Sequence, residues 1–208
     1  MGVLPPYIGG FLSGNWVPPQ VAAALAGTSC VLFDQTLTAP AASIDTGPNY
    51  IPPGFVAVEA IFTGAASQAT AVTTGSCGIQ LNGDTGNNYF YESLLDVNST
   101  YGGGNNGVGG LPGGLSPDGL LRINLPGSTA GAGSVGVGRY LFHNYDGAVF
   151  NKCAILSHVL YDPTAAANGR SRHAAAFWAN TAPITRMTML NGSANLVAGS
   201  RFTIIGYK

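Results

Sequence analysis

Charge is what this chain has least of. Asp, Glu, Lys and Arg make up 8% of its 208 residues, against about 25% in an average soluble domain. The eight Lys and Arg are scattered, and the formal net charge is −1. Nucleic-acid recognition needs several phosphate-neutralising cations on one face, so this composition argues against it. Long apolar runs are missing too. Without a stretch of about 18 apolar residues, no helical membrane span is expected. The opening Met-Gly-Val-Leu-Pro-Pro-Tyr has neither the basic nor the apolar region of a secretory signal, so synthesis in a cytosol is expected. Cysteine is scarce: Cys30, Cys77 and Cys153 are odd in number and include no Cys-x-x-Cys pair. That disfavours a disulfide framework or a zinc site. Buried free thiols, packed as small hydrophobes, are expected instead.

What is present is apolar and turn-rich. Apolar residues reach 46%, aromatics 10%, and Gly numbers 31. Disorder does not fit, because disordered chains are poor in apolar residues and rich in charge. A surface with so little charge dissolves poorly as a lone monomer, so other chains are expected to cover much of it. The length suits one all-β domain.

Residues 1–29 differ from the rest. Pro5, Pro6, Pro18 and Pro19 punctuate them, with Gly9, Gly10 and Gly14 between. Proline fixes φ and lacks a donor, so a long helix or a central strand is excluded there. Residues 20–26 could form at most two helical turns. The segment reads as an extended anchoring arm, with Tyr7, Phe11, Leu12 and Trp16 as its apolar anchors on a partner. From residue 30 to 208 the pattern is one of strands between Gly, Pro and Asn turns. Strands are predicted at 30–38, 54–62, 77–81, 120–125, 138–144, 149–161, 173–178, 184–190 and 201–206. Val56, Val58, Ala60 and Phe62 share one parity and Glu59 the other; Met187 and Met189 oppose Arg186 and Thr188. Side chains two apart share a strand face, so these strands are half-buried. No segment sustains a 3.6-residue period. The expected fold is an all-β, two-sheet antiparallel sandwich, jelly-roll-like, with an extended N-terminal arm. Residues 101–119 form a glycine-rich loop, and 127–138 a second small-residue stretch.

Several motifs resemble chemistry and read better as turns. Gly131-Ala-Gly-Ser-Val-Gly136 fits G-x-G-x-x-G, but Pro-Gly-Ser-Thr-Ala precedes it and a strand-like Arg139-Tyr-Leu-Phe-His follows. A dinucleotide site needs a strand before and a helix after. Asp-Thr-Gly occurs at 45–47 and 84–86. An aspartic-protease dyad needs two carboxylates about 3 Å apart, whereas here Asn82-Gly83 and Gly47-Pro48 mark turns. His143, His158 and His173 lack ligand spacing, and no G-x-S-x-G elbow is present. They are expected to be packed or interface residues. Asp84, Asn87 and Asn88 could offer oxygens to Ca²⁺, but without the EF-hand pattern. No catalytic residue, cofactor or metal is assigned.

Two segments go further. Residues 79–92 read Ile-Gln-Leu-Asn-Gly-Asp-Thr-Gly-Asn-Asn-Tyr-Phe-Tyr-Glu. Residues 178–206 include Trp178-Ala-Asn-Thr, Ile184-Thr and Gly199-Ser-Arg-Phe-Thr-Ile-Ile-Gly206. Together they resemble a recurrent family of tailed-bacteriophage virion proteins. Its members carry a strand ending in Asn-Gly-Asp-Thr-Gly-x-Asn-Tyr and a C-terminal Gly-Ser-x-Phe-x-Leu-Tyr-Gly. Order and spacing agree over roughly residues 30–208. This chain departs in having Ile205 before Gly206, in its N-terminal arm and in ending Tyr207-Lys208. The resemblance implies a jelly-roll-like domain of a fibre, tail appendage or capsid-associated protein, with no catalytic residues to carry over. It implies a virion location, other head or tail proteins as partners, and, from the habit of phage fibres, a homotrimer. An alternative is a lectin-like adhesin touching host surface glycans through Asn87, Asn88, Tyr89, Tyr91, Tyr101 and Asn105, since sugar sites favour aromatics beside Asn and Asp.

Overall fold

The computed structural model describes residues 11–12, 15–16, 28–73, 77–97, 119–163 and 169–208, with the backbone alone for 11–12, 15–16 and 91–97. Thirteen strands succeed one another: β1 (Phe11–Leu12), β2 (Asn15–Trp16), β3 (Ser29–Thr36), β4 (Ser43–Asp45), β5 (Ala57–Gly64), β6 (Cys77–Leu81), β7 (Tyr89–Val97), β8 (Leu121–Ile123), β9 (Val135–His143), β10 (Lys152–Tyr161), β11 (Arg170–Trp178), β12 (Met187–Asn191) and β13 (Arg201–Tyr207). No helix occurs among the described residues. β1 and β2 pair with each other alone. The rest form a seven-stranded sheet, β3-β13-β5-β9-β10-β11-β7, and a four-stranded sheet, β4-β12-β6-β8, antiparallel throughout.

The order of these strands is informative. Set β7, β10 and β11 aside from the two sheets, and eight strands remain. One sheet then takes the first, eighth, third and sixth; the other takes the second, seventh, fourth and fifth. That is the jelly-roll order, which folds two Greek keys into two sheets. The other three strands extend the larger sheet beyond β9 as a wing.

Sequence parity fixes which side chains enter the core. Val58, Ala60 and Phe62 of β5 lie inside, as do Tyr140 and Phe142 of β9 and Phe202 and Ile204 of β13. Ile44, Cys77, Ile79, Leu81, Leu121, Ile123, Met187 and Met189 answer from the smaller sheet. Each large side chain buried this way contributes about 1.5–3 kcal/mol. Buried tyrosines also need a partner for their hydroxyls. Tyr140 donates to the Leu121 carbonyl at 2.8 Å, tying the sheets together, and Tyr145 donates to the Pro52 carbonyl. β13 carries apolar residues on both faces because it is a central strand, between β3 and β5.

Some expectations need correcting. Cys77 is buried and Cys30 partly so, but Cys153 is exposed, because β10 turns it to the outer face of the sheet. Val56 shares the parity of Val58 yet is exposed, since it precedes the first paired residue of β5. Glu59 points away from the core but is still covered, holding Arg139 Nε at 2.8 Å and the Tyr207 hydroxyl at 2.6 Å.

Candidate functional site

The two segments that carry the family resemblance meet at one corner of the sandwich. β6 belongs to the smaller sheet and β7 to the larger, so the chain must change sheets between Leu81 and Tyr89. Asn82 and Gly83 both take positive φ, 52° and 70°, and the Asp84 amide donates to the Leu81 carbonyl at 2.9 Å. This is a type I′ turn, for which Asn-Gly is the preferred pair. Asp84 then organises the chain beyond the turn. One oxygen accepts from the Gly86 amide at 2.8 Å; the other accepts from Asn88 Nδ2 at 2.9 Å and from Trp178 Nε1 at 2.8 Å. Burial pushes the Asp84 carboxyl up, but hydrogen bonds from Asn88, Trp178 and Gly86 outweigh it and hold it below the usual carboxylate range.

The second segment completes the corner. Tyr89 stacks on Trp178 with ring centroids 6.5 Å apart, and both rings are buried. The Tyr89 hydroxyl accepts from the Leu81 amide at 3.0 Å and lies within donating distance of the Leu81 and Asp84 carbonyls. The Ala179 amide donates to the Asn88 carbonyl at 2.7 Å. Asn82 Oδ1 accepts from the amides of Thr185 and Arg186, and its Nδ2 donates to the Pro183 carbonyl. Arg186 in turn grips Asp45 through Nε at 2.9 Å, and Thr188 donates to the same carboxylate. Chiefly through the Arg186 hydrogen bond, Asp45 too is held below the usual range.

These contacts decide several readings. In a protease dyad one of two carboxyls is raised by sharing a proton. Asp45 and Asp84 are both lowered, by separate sets of donors. Gly131 to Ser134 is a turn, closed at 3.0 Å, that runs directly into β9; no helix follows to receive a phosphate. Tyr89 is corrected as a glycan contact: it is a core residue, withdrawn from solvent by its stacking on Trp178 and its three backbone partners. Asn88 is partly buried with its amide spent on Asp84, while Asn87 is exposed. Tyr7, Tyr101 and Asn105 lie outside the described residues, and Phe11, Leu12, Trp16 and Tyr91 are described in backbone only.

Two buried polar residues stand out on β10. Lys152 is buried, and its Nζ donates to the carbonyls of Gly147, Phe150 and Thr181 at 2.7–2.9 Å, pinning the loop between β9 and β10. His158 faces inward from β10, with Nε2 2.5 Å from the Asn124 carbonyl. Its Nδ1 is buried without a hydrogen-bond partner among the described residues. Only the alternation of β10, in which Lys152, Ala154, Leu156, His158 and Leu160 share a face, could have exposed both. His143 and His173 are on the outer face, His173 Nδ1 lying 3.4 Å from Ser157 Oγ.

No known protein family, curated protein or solved structure matches the chain.

Proposed function

We propose that this chain is a non-enzymatic structural protein of a tailed-phage virion. In this reading it is a homo-oligomeric β-sandwich, a trimer by expectation, attached to the head or tail by residues 1–29 as a fibre, appendage or decoration. The observation that carries the proposal is the corner itself. Residues 79–92 and 178–206 are distant in sequence, yet Trp178 and Thr185 donate to Asp84 and Asn82, and Asn82 donates back to the Pro183 carbonyl. Their joint occurrence is therefore a requirement of one architecture rather than a coincidence of a glycine-rich composition. The motif side chains are spent on holding that architecture, as a structural role requires. Jelly rolls serve in viral capsid domains and in lectins, so the fold alone does not choose between scaffold and adhesin.

The test is made on particles of the phage that encodes the chain. Mass spectrometry of washed virions should find the full-length protein at a fixed copy number. A variant lacking residues 1–29 should fold as a β domain and be missing from them. Absence of the full-length protein from washed particles would overturn the proposal. Normal incorporation of the truncated one would remove the anchoring role of the arm. Binding on a glycan array would bring forward the adhesin reading, of whose contact residues Asn87 is exposed at the corner.

A further inference from the structure

We infer that the outer face of the seven-stranded sheet, centred on β9, β10 and β11, is the surface by which this chain associates with a second copy of itself. The inference rests on the homo-oligomeric reading above and names the face responsible.

An antiparallel sheet with one face in water carries polar residues there, alternating with the core. β10 breaks this rule. Its outward set is Cys153, Ile155, Ser157, Val159 and Tyr161, of which Ile155, Val159 and Tyr161 are 63%, 55% and 58% exposed. The register spreads the pattern sideways. Ile155 lies between Leu141 and Ala175, Val159 has Val137 beside it, and Cys153 has Phe177, itself 38% exposed. β10 and β11 are also strands that the jelly roll does not need. The wing therefore adds an apolar outer surface to a fold already closed without it.

Area and charge point to the occupant. Seven strands about 4.8 Å apart, each about eight residues long at about 3.4 Å per residue, cover on the order of 900 Å². A standard interface buries about 800 Å² per partner, so the whole face, its apolar centre with the more polar strands around it, is large enough for one. Among the described side chains of the face, Arg139 is paired with Glu59 and Arg201 with Asp34. These described pairs balance in sign and present no run of one charge to a polyionic partner. A twisted sheet laid on its equal packs at about 10 Å, as sheets do within sandwiches.

Sedimentation equilibrium on the full chain at micromolar concentration tests this, with Ile155→Lys/Val159→Lys against wild type and Val149→Lys/Phe150→Lys as a charge-matched control on an exposed loop. A second readout is alkylation of Cys153 in a Cys30→Ala background, which follows the face without disturbing it. Wild type and control should be oligomeric, with Cys153 labelling slowed at least tenfold as concentration rises. The Ile155→Lys/Val159→Lys variant should be monomeric, with a β circular-dichroism spectrum and rapid labelling. If it stays oligomeric, association uses another face and this inference falls while the homo-oligomer stands. If wild type is monomeric throughout, both fall. If Cys153 is protected at every concentration and deleting residues 1–27 exposes it, the chain's own N-terminal segment is the occupant and the inference is overturned. Should the Ile155→Lys/Val159→Lys variant fail to fold, the concentration dependence of Cys153 labelling still decides.

Discussion

Acid should destabilise this protein well above the pH at which its carboxylates titrate, and His158 is the reason. The imidazole is buried between the wing and the loop after β8, with Nε2 against the Asn124 carbonyl. In the neutral form the Nε2 proton serves that carbonyl. A second proton would have to sit on Nδ1, which has no acceptor among the described residues. Burial, and then the nearby Arg172 and Arg170, disfavour the cation and outweigh the Asn124 bond, so the pKa falls from 6.5 to about 4. The unfolded chain takes up this proton near pH 6.5 and the folded chain only near pH 4. Between those values the unfolded state binds more protons, and stability falls as the pH falls. The contribution is whole above pH 6.5, and the loss amounts to about 2 kcal/mol at pH 5 and about 3 kcal/mol at pH 4. Asp34, Asp45 and Asp84, all lowered from 3.8, lose their contributions only at lower pH, so the window from 6.5 to about 4.5 isolates the histidine. Urea denaturation at pH 7.5 and pH 5.0 should show a midpoint lower by about 1 M at the acid pH, for an m-value of about 2 kcal/mol/M. His158→Gln keeps a donor for Asn124 and cannot ionise, so it should lose most of that difference. A wild type with equal midpoints, or a variant with the wild-type slope, would refute the reasoning.

Two further substitutions test the corner and the sheet. Asp84→Ala strands the N–H donors of Gly86, Asn88 and Trp178; it should cost about 2–4 kcal/mol and lower the Tm by about 5–15 °C, and a drop under 2 °C would show the corner to be dispensable. Gly78→Ala should cost more than about 3 kcal/mol in thermal melts, because the added Cβ would lie 2.2 Å from the Leu121 carbonyl oxygen, part of a backbone that cannot swing aside. Gly133→Ala, with φ +84° and open space around it, should cost only about 1 kcal/mol, and equal losses at the two sites would contradict the β6–β8 geometry.

Much of the fold was legible because parity is a strong signal in a sheet. The 77–81 and 201–206 predictions fall on β6 and β13 almost residue for residue, since Gly, Asn and Ser punctuate their ends. β4 was missed: three residues, Ser43 to Asp45, are too few to show alternation, and their pairing with β12 holds them. β7 is absent from the expected strands, because Glu92-Ser-Leu-Leu-Asp96 has no alternation to read. At the site, the Asn82-Gly83 turn was readable from its chemistry. The glycan contact that the alternative reading offers for Tyr89 fails on its burial, and a tyrosine beside asparagines looks alike in sequence whether its hydroxyl meets a sugar or a carbonyl. Only the partner 89 residues away, Trp178, decides it.

The scarcity of charge acquires a sharper meaning once the charges are located. Of the eight cations and nine anions in the chain, Arg139, Arg186 and Arg201 are paired with Glu59, Asp45 and Asp34. Lys152 is spent on three carbonyls, and Asp84 on the corner. Nearly half of an already small set thus fastens strands and loops together. Charges used this way add little stability where they are exposed, since exposed pairs are worth about 0–1 kcal/mol, but they fix register between β3 and β13 and between β5 and β9. The cost falls on solubility. A fold that spends its charges on register and adds a wing with an apolar outer face is suited to being covered. The proposed assembly role accounts for both features with one cause.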